Sequence, residues 1–456
     1  MQASSEKSRG LEYWSDGGQR VLLFSLAILQ YSNTPLLLPP VLTSAPCCVN
    51  FQPHMKKRKI AVLVGDGMGD YPLEELGGKT PLQAANIPTI RRIAAAGDLR
   101  CVQTVPVSGL APGSDVANLS LLGYDPEENY TGRAPIEAAG ANIPLEPNDT
   151  AFRCNLVTVK DGLMEDYSAG HITTEEAHEL IAAIQDKLGR NGLTFHGGVS
   201  YRHLLVWRDG PTRVTTHPPH DFSGKPVSEH LPTGEMHDQV RQLLEASKNI
   251  LSGHPVNRKR VEEGKNPATQ IWLWGQGRAL SLKTYPELYG LTGSVITAVD
   301  LVRGLGRLTG LTPVEVEGAT GFIDTNYDGK VQAALDVLQA HDFVFVHIEA
   351  PDECGHVGKP HLKVEAIEAF DRRVVLPVWQ ELEKRGEPYR LVVCTDHRTP
   401  ITVRGHTREP VPMVSLDGPV GKVDTEQAFD ENVNGGEAQI RVFEWMRELL
   451  GQREAR

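Results

Sequence analysis

The sequence predicts an α/β fold: a doubly wound, mainly parallel sheet interrupted by a smaller inserted α+β domain. Three observations carry this. RKIAVLVG (58–65), DFVFVHIE (342–349) and RLVVCT (390–395) are continuous apolar runs of strand length, the pattern of strands buried on both faces. Segments with helical signals alternate with them, as in a sheet covered on both sides. Each run also leads into acidic or histidine residues: Asp66, then Asp352 and His356, then Asp396 and His397.

The elements follow in order. After the first strand, a helix is expected over 86–96, with Asn86 as its cap, Pro88 near its start and Gly97 closing it. A second begins at Ser114–Asp115 and stops at Gly123. HLLVW (203–207) and QIWLW (270–274) read as strands, with Trp272 and Trp274 as core. Thr173 and Glu176 form a capping box for a helix reaching about 188, and Gly189 ends it. Further helices are expected over 329–341, 361–384 and 436–450. The stretch 151–290 has less continuous apolar sequence and many His, Pro and aromatic residues. It is read as a cap domain inserted between two core parts, 56–150 and 291–456.

Residues 1–55 stand apart. VLLFSLAIL (21–29) is too short to span a bilayer, and the polar stretch before it is long for a signal peptide. The segment reads as a disordered or artefactual extension; a targeting segment, or translation from Met55, is the other reading. The six cysteines form no C-x-x-C pair in 456 residues, which fits a reduced cytoplasm and supports neither a disulfide framework nor a cysteine zinc site. A net charge of −12 disfavours nucleic acid as a partner, because phosphate backbones need a basic surface. With 23% charged and 40% hydrophobic residues the chain is neither a disordered nor a multi-span membrane protein. A small phosphorylated substrate needs only a local basic pocket. Nothing in the chain sets an oligomeric state.

Ligands of open α/β sheets bind beyond the carboxyl ends of the strands, so the three acidic and histidine ends should meet at one edge. Asp and His together suit Zn, Mn and related divalent ions. His406, nine residues after His397 on a Thr-, Arg- and Gly-rich loop, can reach back to the same edge. Ser114, after Pro-Gly at a helix start, is either an N-cap or a nucleophile whose oxyanion the helix end stabilises. No G-x-x-x-x-G-K-[ST] occurs, and GDGMGD (65–70) lacks the dinucleotide-binding spacing.

GDGMGDYPLEELGGKTPLQAA (65–85), PGSDVANLSLLGYDPEENYTGRAPIEAAG (112–140), FRCNLVT (152–158), TNYDGK (325–330), EAPDECGH (349–356) and TDHRTPITVRGHT (395–407) together resemble the cofactor-independent phosphoglycerate mutases of the archaeal type, members of the alkaline phosphatase superfamily. The resemblance runs over residues 58–456. It implies an alkaline phosphatase-like core, two divalent ions (Mn, Zn or Mg) and interconversion of 2- and 3-phosphoglycerate through a phosphoserine, without added bisphosphoglycerate. Asp66, Ser114, Asp396 and His397 would hold one ion, and Asp352, His356 and His406 the other, with Ser114 the phosphorylated residue. By position, Arg133 would pair with phosphate, Lys330 would stabilise charge on the transferring group, and Arg153 and Arg202 would hold substrate carboxylate or phosphate. His171, His220 and Asp221 are further candidates in the cap. In place of the arginine-bearing segment of the archaeal type stands EDYSAGHI (165–172). A bacterial branch with this form has been proposed to act as an ATP-dependent homoserine kinase, with His171 and Asp166 facing the amino acid. A catalytically dead scaffold is the reading that seven ligand-type residues argue against.

Overall fold

The computed structural model describes residues 58–107 and 109–451; the N-terminal segment that the sequence set apart lies outside them. Its strands are β1 (Lys59–Gly65), β2 (Asp98–Gln103), β3 (Asp149–Lys160), β4 (Leu163–Asp166), β5 (Leu193–His196), β6 (Arg202–Arg208), β7 (Val214–Thr215), β8 (Thr233–Gly234), β9 (Gln270–Arg278), β10 (Gly293–Ile296), β11 (Thr312–Val314), β12 (Phe343–Ile348), β13 (Tyr389–Cys394), β14 (Val411–Gly418) and β15 (Ile440–Arg441).

Eight of them form one sheet in the order β11-β10-β12-β1-β13-β14-β2-β15. All run parallel except β14, which is antiparallel to both its neighbours. The three apolar runs are thus its adjacent central strands, with Gly65 opposite Ile348 and Val64 opposite Cys394. Side-chain alternation divides β1 between two cores: Ala61 and Leu63 pack with the helices Pro88–Ala96, Tyr327–Ala340 and Pro360–Phe370. Ile60, Val62 and Val64 pack with Ser114–Leu121, Asp300–Leu308 and Val442–Leu450 on the other face. Helices cover both faces, so the sheet is doubly wound.

A second, antiparallel sheet, β4-β3-β6-β5 with β9 paired to β3, draws all its strands from residues 149–278. The helices Thr174–Leu188 and His237–Ser252 cover it, and Trp272 and Trp274 lie in that core. Thr173 and Glu176 form the expected capping box.

Three expectations are corrected. Asn86 does not cap the Pro88–Ala96 helix; the Asp371 carboxylate, from elsewhere in the chain, accepts the N–H groups of Ile90 (2.7 Å) and Thr89 (3.3 Å). The long helix expected over 361–384 is Pro360–Phe370, a π-helical turn at Asp371–Val375, then Leu376–Arg385. The last helix starts at Val442; a 3-10 turn at Val433–Gly436 and β15 precede it. No described helix is long and apolar enough to cross a membrane, and Cys101, Cys154, Cys354 and Cys394 are buried free thiols.

Candidate metal centre and substrate cavity

β12, β1 and β13 end side by side, and the residues that follow them converge. The chain turns sharply after Asp66 at Gly67, whose φ is +61°. A Cβ there would stand 2.5 Å from Thr399 Oγ1 and 2.8 Å from Asp352 Cα, so only glycine allows the three strand ends to close on one another. The Gly67 N–H donates to Asp396 Oδ1 at 3.0 Å. Asn118, one turn into the Ser114 helix, donates to Asp396 Oδ2 at 2.8 Å.

Gly113, not Ser114, is the N-cap of that helix. Ser114 is its first residue and its Oγ stands 3.0 Å from His397 Nε2. His397 Nε2 lies 3.4 Å from Asp66 Oδ1 and 3.5 Å from Asp396 Oδ2. Beside this group, His356 Nε2 stands 3.1 Å from Asp352 Oδ2 and 3.1 Å from His406 Nε2, and His406 Nε2 stands 3.5 Å from Asp352 Oδ1. His356 Nδ1 donates to the Arg404 carbonyl at 3.0 Å, so its Nε2 is the nitrogen that faces His406 and Asp352. Three sets of side chains have donor atoms close enough to share an ion: Asp352, His356 and His406; Asp66, Asp352 and His397; and Asp66, His347 and Asp396.

The charges are strongly coupled. Burial, then the carboxylates of Asp396 and Asp352, pushes Asp66 well above the usual carboxylate range. Burial would raise Asp352 and Asp396 too, but His356 and His406 hold the first well below that range, and His397 and His347 hold the second low. Burial takes His397 down to about 4, whereas Asp352 outweighs burial at His356 and lifts it to about 9. Asp66 Oδ1 and His347 Nε2 are buried without a hydrogen-bond partner. Clustered carboxylates and imidazoles with such orphaned donor atoms fit divalent cations.

A cavity of about 660 Å³ opens from Asp66, Ser114, His356 and His406 and is walled by Arg133, Arg153 and Arg202. Glu137, on the helix after Gly132, accepts from Arg133 Nε at 2.9 Å and from Arg153 Nε at 2.8 Å. Each guanidinium thus keeps its two terminal nitrogens for another partner. Burial would raise Glu137, but the two arginines hold it below its usual value. Arg153 also lies 4.1 Å over the Trp274 ring.

Of the expected residues, all seven ligand candidates and the three arginines meet here. His220 borders the group through its ring, 5.4 Å from that of Trp274. Others do not reach the cavity. Asp221 is exposed. His171 is exposed on a left-handed turn, φ +47°, and Asp166 is engaged by Ser168, Gly170 and Asn266. Lys330 is buried behind the cavity wall, its ammonium 3.0 Å from Glu349 Oε2 and 3.2 Å from the His347 carbonyl. Sequence reasoning missed Asn118, Glu137, His347 and Glu349. The signal for His347 was there: it is the polar residue within an otherwise apolar buried run.

Known proteins share this arrangement's sequence. The family profile of 2,3-bisphosphoglycerate-independent phosphoglycerate mutases matches residues 94–257. The protein of that name from Methanosarcina barkeri is 50% identical over 376 residues, 82% of this chain and 94% of its own length. The probable mutase of Geobacter sulfurreducens is 51% identical over 377 residues, with the same coverage. Among solved structures, a Pyrococcus horikoshii protein superposes with TM-score 0.72 at 30% identity over 88% of this chain and 99% of its own. The cofactor-independent phosphoglycerate mutase of Thermoplasma acidophilum does so with TM-score 0.57 at 29% identity, over 86% and 99%. Half of all aligned positions, over nearly the whole length of the curated relatives, places the chain in the family of 2,3-bisphosphoglycerate-independent phosphoglycerate mutases.

Proposed function

We propose that this protein interconverts 2-phosphoglycerate and 3-phosphoglycerate through a phosphoserine at Ser114. The observation that carries this is Ser114 Oγ, at a helix start 3.0 Å from His397 Nε2, facing an arginine-walled cavity. Arg133, Arg153 and Arg202 grip the substrate's phosphate and carboxylate, for which planar bidentate donors are suited. Ser114 Oγ attacks phosphorus, the bond to the substrate oxygen breaks, and the released hydroxyl takes up the serine's proton. The neighbouring hydroxyl of the retained glycerate then attacks the phosphoserine and frees Ser114, so no bisphosphoglycerate is consumed. The amide ends of the Ser114–Leu121 helix favour the anion that develops beside them.

Two divalent ions (Mn, Zn or Mg), one held by Asp66, Ser114, Asp396 and His397 and one by Asp352, His356 and His406, would supply positive charge to activate the serine and offset that of the phosphoryl oxygens. Asn118 and the Gly67 N–H orient the Asp396 carboxylate for this task. Residues 151–290, built around the antiparallel sheet, act as an inserted cap that carries Arg153, Arg202 and His220. The cap keeps water from the phosphoserine, which it would otherwise hydrolyse.

Phosphorus NMR of the purified protein with 3-phosphoglycerate, without bisphosphoglycerate or ATP, tests the reading. The 2-phosphate should appear, cease to form after chelation, and return on adding back the ion. Ser114→Ala should lose turnover by orders of magnitude while unfolding near the wild-type temperature, because its hydroxyl is not a cap. Normal turnover in Ser114→Ala, or phosphorylation of homoserine by ATP with no phosphoglycerate exchange, would make the reading wrong.

A further inference from the structure

His347 sits on β12, one residue before the strand ends, and is fully buried. Its two ring nitrogens face different surroundings. Nδ1 stands 3.2 Å from Glu349 Oε1. That carboxylate is itself fixed by Lys330 Nζ at 3.0 Å, Thr297 Oγ1 at 2.7 Å and the Ala298 N–H at 3.1 Å. An ionised carboxylate only accepts, so Nδ1 carries a proton aimed at Glu349, and Nε2 points the opposite way, where a cation in place of a proton would find its lone pair. Nε2 has no hydrogen-bond partner and lies 3.4 Å from Asp66 Oδ2 and 3.8 Å from Asp396 Oδ2.

Those separations are the diagnostic feature. A hydrogen bond from nitrogen to a carboxylate spans about 2.7–3.2 Å. Two ligand atoms each about 2.0–2.2 Å from a shared five-coordinate ion stand roughly 2.8–3.8 Å apart. The His397 Nε2 distances to Asp66 and Asp396, 3.4 and 3.5 Å, fall in the same range. The orienting carboxylate behind a ligand histidine is the usual support of a metal-bound imidazole. From this geometry we propose that His347 Nε2 is a further ligand of the ion shared by Asp66 and Asp396, aimed by the buried Lys330–Glu349 pair. Lys330 and Glu349 are then positioning residues: they set the tautomer and the ring angle without touching substrate.

The inference rests on the metal-dependent reading above, and its test separates the two. Zinc titration of the metal-stripped protein by calorimetry should show two ions bound by the wild type. His347→Gln should weaken one of them at least ten-fold and leave the other unchanged. Glu349→Gln should weaken the same ion. The second readout needs no variant: in zinc-loaded wild type labelled at its histidine ring nitrogens, the His347 signal, identified through its buried Nδ1 proton, should show an Nε2 that carries no proton and shifts with zinc. Wild-type affinity for both ions in His347→Gln, or a proton on Nε2 in the zinc-loaded protein, overturns the assignment and leaves the mutase reading standing. A wild type that binds no ion overturns both.

Discussion

His203, on β6 in the cavity wall, shows how one side chain couples stability to pH. It is buried, and its Nδ1 accepts the Gly198 N–H at 2.9 Å, which stabilises the neutral ring. Burial lowers its pKa from the ordinary 6.5 to about 3. The unfolded chain therefore binds a proton below pH 6.5 that the folded protein refuses, so falling pH favours unfolding until about pH 3. Between pH 7 and pH 5 this one group should remove about 2 kcal/mol of stability. His203→Gln keeps an acceptor for Gly198 but cannot titrate. Urea unfolding at the two pH values should show its stability falling less than the wild type's by about that amount; equal falls would mean that His203 is not held neutral.

At the scale of elements, the Pro88–Ala96 helix has its N-terminus closed by Asp371, which lies in the π-helical turn of another rod. The extra residue in that turn rotates the buried carboxylate toward the helix end. Asp371→Ala leaves two buried N–H groups without partners and should cost about 1–3 kcal/mol in denaturant unfolding, with Asp371→Asn losing less. Both should retain wild-type kcat, since this contact is remote from the cavity. The same contact marks where sequence reading fails. Asn86 has the right chemistry at the right spacing, but its backbone N–H is taken up by Glu368 at 2.9 Å and the cap comes from far along the chain. The capping box at Thr173 and Glu176 was legible because both partners lie three residues apart. The site divides the same way. Asp66, Asp352, Asp396 and His397 were legible because each follows an apolar strand. Glu137 was not, since a glutamate in a short helix looks solvent-facing until the two arginines it bridges are brought beside it.

At the scale of the whole molecule, the two large sheets differ in how far their partners lie along the chain. Every strand of the antiparallel sheet pairs within residues 149–278. β1, by contrast, pairs Ile60 with Phe343 and with Arg390, and β2 pairs with β14 and β15. A 149–278 fragment should therefore fold alone with a cooperative thermal transition, whereas a 58–148 fragment should not. Circular dichroism and dispersed amide NMR spectra of the two fragments check this; a disordered 149–278 fragment would show that its sheet depends on the core. The register of β1 also bears on how the protein is made. At synthesis rates of about 5–20 residues per second, β1 leaves the ribosome tens of seconds before either strand that will flank it. The buried apolar run Ile60–Val64 must be shielded through that interval while the 149–278 sheet closes on itself. Asp66 meets Asp396 only once β13 has docked. The candidate metal centre is thus assembled late, and a chain truncated before residue 389 would hold the 149–278 sheet, Ser114 and a β1 paired only on its β12 side, but neither Asp396, His397 nor His406.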